Sequence, residues 1–248
     1  SKIGNHIGDR GFVGHQAAKM MKRSKMLERR RENAVQEKEK LLKDIESPEP
    51  LKINMLHYHS SSLVTIKDLS VRYPDSDTPL FSGLSMEIRS GSRIALSGKN
   101  GCGKSSLIRL ILGENIPHTG EISAASGLRI SYVSQDTSQL HGTLSEFALH
   151  CGVDASLLLT VLDKLGLERP QFEKRIETYS EGQKKKVLLA KSLCEPAHLF
   201  VWDEPLNYID IFSRIQLEDL LLACQPSMLF VEHDRTFREK IATEIIEL

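Results

Sequence analysis

The chain is poor in the features that staple a small fold together or carry one across a bilayer. Only four cysteines occur in 248 residues, Cys102, Cys151, Cys194 and Cys224, far apart and without a CxxC pair. Neither a zinc site nor a disulfide framework is suggested, and the thiols fit a reducing, cytoplasmic compartment. No apolar run approaches the roughly 20 residues needed to span a bilayer. The opening residues are too polar for a signal peptide, so membrane insertion is not expected. Net charge is lacking too: 33 Lys+Arg balance 33 Asp+Glu, which leaves the whole chain without an electrostatic bias toward nucleic acid or acidic substrates. What remains, 40% hydrophobic and 27% charged residues, is the composition of a globular domain with an appendage.

The charge that is present is unevenly spread. Residues 1–46 hold 12 Lys+Arg against 7 Asp+Glu, and nine of those basic residues fall within positions 1–31. Residues 17–45 contain no Gly or Pro, and apolar residues recur every seventh position at Met20, Leu27, Ala34 and Leu41. This spacing predicts one long helix with a narrow stripe, a coiled-coil arm over about 1–50. Ser47-Pro48-Glu49-Pro50 ends it, because proline lacks the amide and clashes with the preceding turn. A basic stretch of this kind can neutralise RNA phosphates, although a charged helix face also serves simply to meet solvent. Residues 51–62 read as an irregular connector.

From about Leu63 the texture changes. Leu84, Met86 and Ile88 alternate as in a half-buried strand, Arg93–Ser97 is a short strand feeding a glycine-rich turn, and Ser105–Leu112 reads as the helix that follows. Leu199–Trp202 and Met228–Val231 are continuous apolar runs, expected of parallel strands buried on both faces. Ala155–Leu165 and Gly182–Leu193 have helical period, and the stretch between roughly Thr143 and Tyr179 is poor in strands. The alternation predicts an α/β fold around a parallel sheet.

Two motifs carry chemistry. Gly98-Lys99-Asn100-Gly101-Cys102-Gly103-Lys104-Ser105 satisfies GxxxxGK[ST] in full, between a strand and a helix. Its glycines let successive amides face phosphate oxygens, Lys104 reaches the terminal phosphates, and the Ser105 hydroxyl offers Mg²⁺ a hard ligand. About a hundred residues on, the apolar run His198–Trp202 ends in Asp203-Glu204. This sets two carboxylates at the edge of the sheet where ligands of open α/β folds bind. Asp203 is placed to hold Mg²⁺ and Glu204 to take a proton from an attacking water.

Tyr179-Ser180-Glu181-Gly182-Gln183 opens a helix shortly before the Asp-Glu strand. With it the sequence resembles the ATP-binding cassette (ABC) family over residues 63–248. Ser180–Gln183 looks like the family signature, Gln135 like the Q-loop glutamine, Asn207–Asp210 like the D-loop, His233 like the switch histidine and Tyr73 like the aromatic that stacks on adenine. The resemblance implies a P-loop NTPase with a parallel core sheet, an antiparallel β subdomain and a helical subdomain at about 143–195, preceded by the long helix. It implies ATP and Mg²⁺ as ligands. ATP would be held by Tyr73, Gly98, Asn100, Gly101, Cys102, Gly103, Lys104, Ser105 and Ser106, with Ser180, Gly182 and Gln183. Mg²⁺ would be held by Ser105, Gln135 and Asp203, and catalysis carried by Glu204, Gln135 and His233. On the residues alone, Tyr73 also fits a strand-end core position, Gln135 a polar loop and His233 a helix cap. The pattern departs from the family at Glu181, where glycine is usual, and at Tyr179, where leucine is usual. A carboxylate at 181 would either repel a γ-phosphate or point outward, and the sequence leaves both open.

In this family each ATP lies between the phosphate loop of one cassette and the signature of a second. One loop and one signature therefore imply half a site, and a chain that is part of a longer tandem protein. The charged arm, the absence of a spanning run and Glu232–Phe237 resemble the ABC-F subfamily. Tyr179–Val187, Glu204–Asp210 and Gly8–His15 resemble its Lsa- and Vga-like antibiotic-resistance proteins. That implies the bacterial ribosome and its RNA as partner and ribosome protection as function. The alternatives are the ATPase subunit of a membrane transporter and an ABC-F translation factor without a resistance role.

Overall fold

A computed structural model describes residues 51–74 and 78–248. The basic helical arm expected over residues 1–50 lies outside the described residues.

Two sheets organise the described chain. In the first, β1 (Ser62–Val71) lies between β2 (Phe81–Arg89) and β4 (His118–Ala124), antiparallel to both. In the second, five strands run in the order β5 (Ile130–Val133), β6 (Leu199–Asp203), β7 (Met228–Val231), β3 (Arg93–Ser97), β8 (Glu244–Glu247), and every pairing is parallel. The helices are α1 (Lys104–Ile111), α2 (Leu144–Cys151), α3 (Ala155–Lys164), α4 (Glu181–Cys194), α5 (Ile211–Cys224) and α6 (Arg235–Ile241). The expected mixture of parallel sheet, antiparallel sheet and helices is what the chain forms. From Leu144 to Cys194 the described chain is helical, with two short 3₁₀ turns and no strand.

The continuous apolar strands are explained by two cores, one on each face of the parallel sheet. Side chains along a strand alternate in direction, and here each direction has a cover. Leu199, Val201, Leu229 and Val231 face a core shared with Leu107 and Ile108 of α1 and with Ile66, Leu69 and Ile88 of the antiparallel sheet. Phe200, Trp202, Met228 and Phe230 face the other core, with Val187 and Leu189 of α4, Leu217 of α5 and Phe237 of α6. A polar chain crosses this second core: Trp202 Nε1 donates to Ser192 Oγ at 2.9 Å, and Ser192 Oγ lies 2.8 Å from Ser131 Oγ. It ties β5, β6 and α4 together with every polar group paired, as burial demands.

Apart from an isolated bridge between Met55 and Ala197, residues 51–56 form no helix or strand. They run extended beside the end of α4, with Asn54 N donating to Leu193 O at 3.0 Å and Leu56 N to Ala197 O at 2.7 Å. Leu51, Ile53 and Met55 alternate along this strip and pack on the core. A period of two held by three apolar residues is enough to dock the segment once carbonyls are available to pair with it.

Candidate active site

The carboxyl ends of β3 and β6, together with β7, converge on one cavity of about 430 Å³. Its walls are Tyr73, Leu80, Asn100, Gly101, Gly103, Lys104, Ser105, Ser106, Gln135, Asp203, Glu204 and Val231. Most of the residues singled out in the sequence therefore meet here, drawn from four separate stretches of chain. Gly98 and Cys102 do not line the cavity: a side chain at Gly98 would collide with Cys102 Sγ and the Leu248 carbonyl, each 2.7 Å away.

The loop after β3 is built to wrap. Gly103 has φ 104°, and a Cβ there would sit 2.8 Å from the Phe81 ring, so both the backbone conformation and the close approach of β2 require glycine. Gly103 also starts α1, whose first-turn amides have no side-chain cap, whereas α2 to α6 each begin on a capping Thr, Ser or Asp. A helix N-terminus left open at the mouth of a cavity is an anion-binding surface. Lys104 is buried, and its ammonium donates to the carbonyls of Gly98 at 2.9 Å and Lys99 at 3.0 Å, curled inside the loop it would share with a phosphate chain.

Opposite the loop stand the acidic groups. Ser105 Oγ donates to Asp203 Oδ2 at 3.3 Å. Asp203 is 4% exposed, and burial together with the neighbouring Glu204 charge pushes its carboxyl above the usual range, against the pull of Lys185, Ser105 and Lys104. A hydroxyl beside a buried carboxylate under like-charge pressure is a hard oxygen pair that a divalent cation would relieve. The donor set fits Mg²⁺, with Ser105 and Asp203 as the residues that would hold it. No cluster of three or more His, Cys, Asp or Glu suited to a metal occurs among the described residues, so the site rests on the hydroxyl and the carboxylate together with the ligand's own oxygens.

Glu204 sits one residue beyond β6 with φ 49°, its amide bonded to Val231 O at 3.0 Å. That left-handed turn aims its carboxylate into a ring of partners. Gln135 Nε2 donates to Oε2 at 2.8 Å, Asn207 Nδ2 donates to the same oxygen, and His233 Nε2 lies 3.1 Å from Oε1. Gln135, expected to serve both metal and water, is turned to Glu204. Asn207 was visible in the sequence only as part of the D-loop stretch, and its spacing of three from Glu204 was the available signal.

Ser180, Gly182 and Gln183 do not line this cavity. They begin α4, where Ser180 Oγ accepts from Gln183 N and Gln183 Oε1 accepts from Ser180 N, a reciprocal cap. Gly182 has no room for a side chain, because a Cβ would meet the carbonyl oxygen of Tyr208. The carboxylate of Glu181 is taken up by Thr137 Oγ1 at 2.5 Å and Lys184 Nζ at 3.0 Å, which hold it below the usual carboxylate range. Tyr179 is buried in the core beside α4 and donates to Gln171 O at 2.6 Å. Tyr73 Oη lies 3.1 Å from Ser106 Oγ at the cavity wall.

Lys184, Lys185 and Lys186 are consecutive in the sequence, and each has an acceptor of its own. Lys186 pairs with Asp210 at 2.6 Å, and Lys185 is 2% exposed. Burial pushes the Lys185 amine down to about 8, against the opposing pull of Asp203, Glu204 and Glu232.

Fold and site together define a phosphate-loop ATPase cassette. Residues 81–207 match the ABC transporter family. Over 216 residues, 84% of the chain, the sequence is 30% identical to the ATP-binding protein Uup of Buchnera aphidicola, covering 36% of that relative. It is 30% identical to ABC transporter F family member 2 of Arabidopsis thaliana over 75% of the chain and 28% of the relative. An ATP-bound bacterial Atm1-family ABC exporter superposes with a TM-score of 0.67 at 19% identity, over 79% of this chain and 38% of that one, a likeness of fold. The chain belongs to the ABC family as an ABC-F-type cassette. It spans about a third of the length of these curated relatives. ABC cassettes are ATPases that take ATP with Mg²⁺ and work with a second cassette. Among the described residues no single helix is long and apolar enough to cross a membrane.

Proposed function

We propose that this chain is one cassette of an ABC-F protein that hydrolyses ATP at a site completed by a second cassette, and that the whole protein acts on the bacterial ribosome to protect it from antibiotics. The observation that carries the first part is the division within the chain. The phosphate loop, Asp203 and Glu204 share one cavity, while Ser180 and Gly182 lie elsewhere, at the start of α4. Ser180 is exposed at the start of α4, and the family resemblance makes this the surface that takes the γ-phosphate held by another cassette's phosphate loop.

At this site the loop amides and Lys104 bind the phosphate chain, and Tyr73 provides a ring at the cavity wall for the base. Ser105 and Asp203 would hold Mg²⁺, which would supply charge neutralisation to the phosphate chain. Glu204 accepts a proton from the attacking water, with Gln135 and Asn207 fixing one carboxylate oxygen and His233 contacting the other.

Ribosome protection rests on the resemblance of Tyr179–Val187 and Glu204–Asp210 to Lsa- and Vga-like proteins and on the basic charge of residues 1–31. Cosedimentation tests it. The Glu204→Gln protein should pellet with ribosomes in an ATP-dependent manner, and cells expressing the whole protein should tolerate drugs that bind the peptidyl-transferase region. Absence of ATP-dependent pelleting contradicts the ribosomal reading. Pelleting without a change in drug tolerance leaves a translation factor, and co-purification with a permease favours a transporter subunit.

A further inference from the structure

The ammonium of Lys185 has an unusual address. It lies one turn inside α4, is 2% exposed, and donates to two backbone carbonyls, Ser134 O at 2.9 Å and Asp203 O at 3.1 Å. Each of those carbonyls belongs to the residue immediately before a member of the hydrolytic pair. Ser134 precedes Gln135, Asp203 precedes Glu204, and Gln135 Nε2 meets Glu204 Oε2 at 2.8 Å. Lysine also borders a second cavity of about 260 Å³ with Gln135, Asp136, Thr137, Glu181 and Asn207, between the start of α4 and the Glu204 turn. A leucine or methionine would fill the space at lower desolvation cost, so the charge at this depth calls for a function in the site.

We propose that Lys185 is a positioning residue for hydrolysis, a clamp by which α4 sets the distance between Gln135 and Glu204. The start of α4 carries Ser180 and Gly182, the face assigned above to a second cassette's nucleotide, and Lys185 lies on the same rigid helix. Movement of α4 on closure therefore reaches the Gln135–Glu204 pair through two hydrogen bonds. The proposal rests on the reading of this chain as an ATPase cassette.

The test compares Lys185→Met, Lys185→Arg and wild type in nucleotide affinity with Mg²⁺, measured by a fluorescent ATP analogue, and in steady-state turnover by the whole protein. Lys185→Met should bind nucleotide with a Kd and KM within about threefold of wild type while kcat falls at least about tenfold, and Lys185→Arg should recover most of the loss. In a Gln135→Ala background Lys185→Met should add less than about a threefold further loss, because both act through one pair. Should Lys185→Met fail to fold, Lys185→Gln carries the same comparison. A lysine-free variant with wild-type kcat overturns the proposal, as does a loss of nucleotide affinity equal to the loss of turnover. If wild type itself neither binds nor hydrolyses ATP, the ATPase reading fails and the clamp fails with it.

Discussion

His233 Nε2 stands 3.1 Å from Oε1 of Glu204, on the side of the carboxylate that Gln135 and Asn207 leave free. Both oxygens of one carboxylate thus have side-chain partners, and neither is held by a Lys or Arg. A carboxylate so arranged keeps its orientation and remains able to take a proton. Glu204→Gln preserves the shape and removes the base. It should lower kcat by at least about 100-fold while leaving the nucleotide Kd within about threefold. Steady-state phosphate release beside equilibrium binding checks both halves.

Glu181 tests the departure from the family pattern. Its carboxylate is bonded to Thr137 and Lys184, and half its side chain is exposed. Repulsion of a γ-phosphate is therefore largely offset by a local cation. Glu181→Gly should alter ATPase turnover by less than about threefold. A tenfold rise would show that the carboxylate acts against the nucleotide of the other cassette.

Gly182 has a structural reason to be glycine that is independent of phosphate. A methyl group there collides with the Tyr208 carbonyl, so Gly182→Ala must displace the 207–210 turn or the start of α4. Overpacking of this kind should cost about 1–3 kcal/mol of stability. Thermal denaturation should show it in the chain without nucleotide, where a purely ligand-binding role for Gly182 would leave stability unchanged.

Asp234 gives a pH dependence. It caps α6 through Phe237 N at 2.8 Å and receives the Arg214 guanidinium at 2.8 and 2.9 Å. Arg214, with help from the Phe237 amide, holds its carboxyl at about 2, below the ordinary 3.8. A depressed folded-state value means that this stabilisation is complete above about pH 4 and is lost as the pH falls toward 2. Asp234→Asn should cost about 1 kcal/mol at neutral pH, a figure discounted for partial exposure. The difference in melting temperature between wild type and variant should shrink steadily below pH 4.

Much of this site could be read from the chain before folding. Local rules suffice for Gly98–Ser105, because a strand, a glycine loop and a helix start are consecutive, and for Asp203-Glu204, because the strand that delivers them is a short apolar run. They also suffice for the ends of β3 and β7, whose apolar residues stop where the covered faces stop. What could not be read was any feature that depends on a carbonyl or carboxylate brought from a distance. Lys184, Lys185 and Lys186 form a charge run in sequence. Lys184 pairs locally with Glu181, but Lys185 and Lys186 are buried because the Ser134 and Asp203 carbonyls and the Asp210 carboxylate are delivered from other segments. Residues 51–56 dock for the same reason, since their partners lie some 140 residues away at the end of α4.

The central claim is that Lys104 and the amides around Gly103 seat the phosphates of a nucleotide, with a cation held between Ser105 and Asp203. Titration of the chain with ATP, with and without Mg²⁺, beside Lys104→Ala tests it most directly. Saturable, Mg²⁺-dependent binding that weakens at least about 100-fold in Lys104→Ala is the predicted result, the loss expected when a charge-assisted phosphate contact disappears from a buried site. Equal affinity in the two proteins, or no uptake by wild type, would contradict the account.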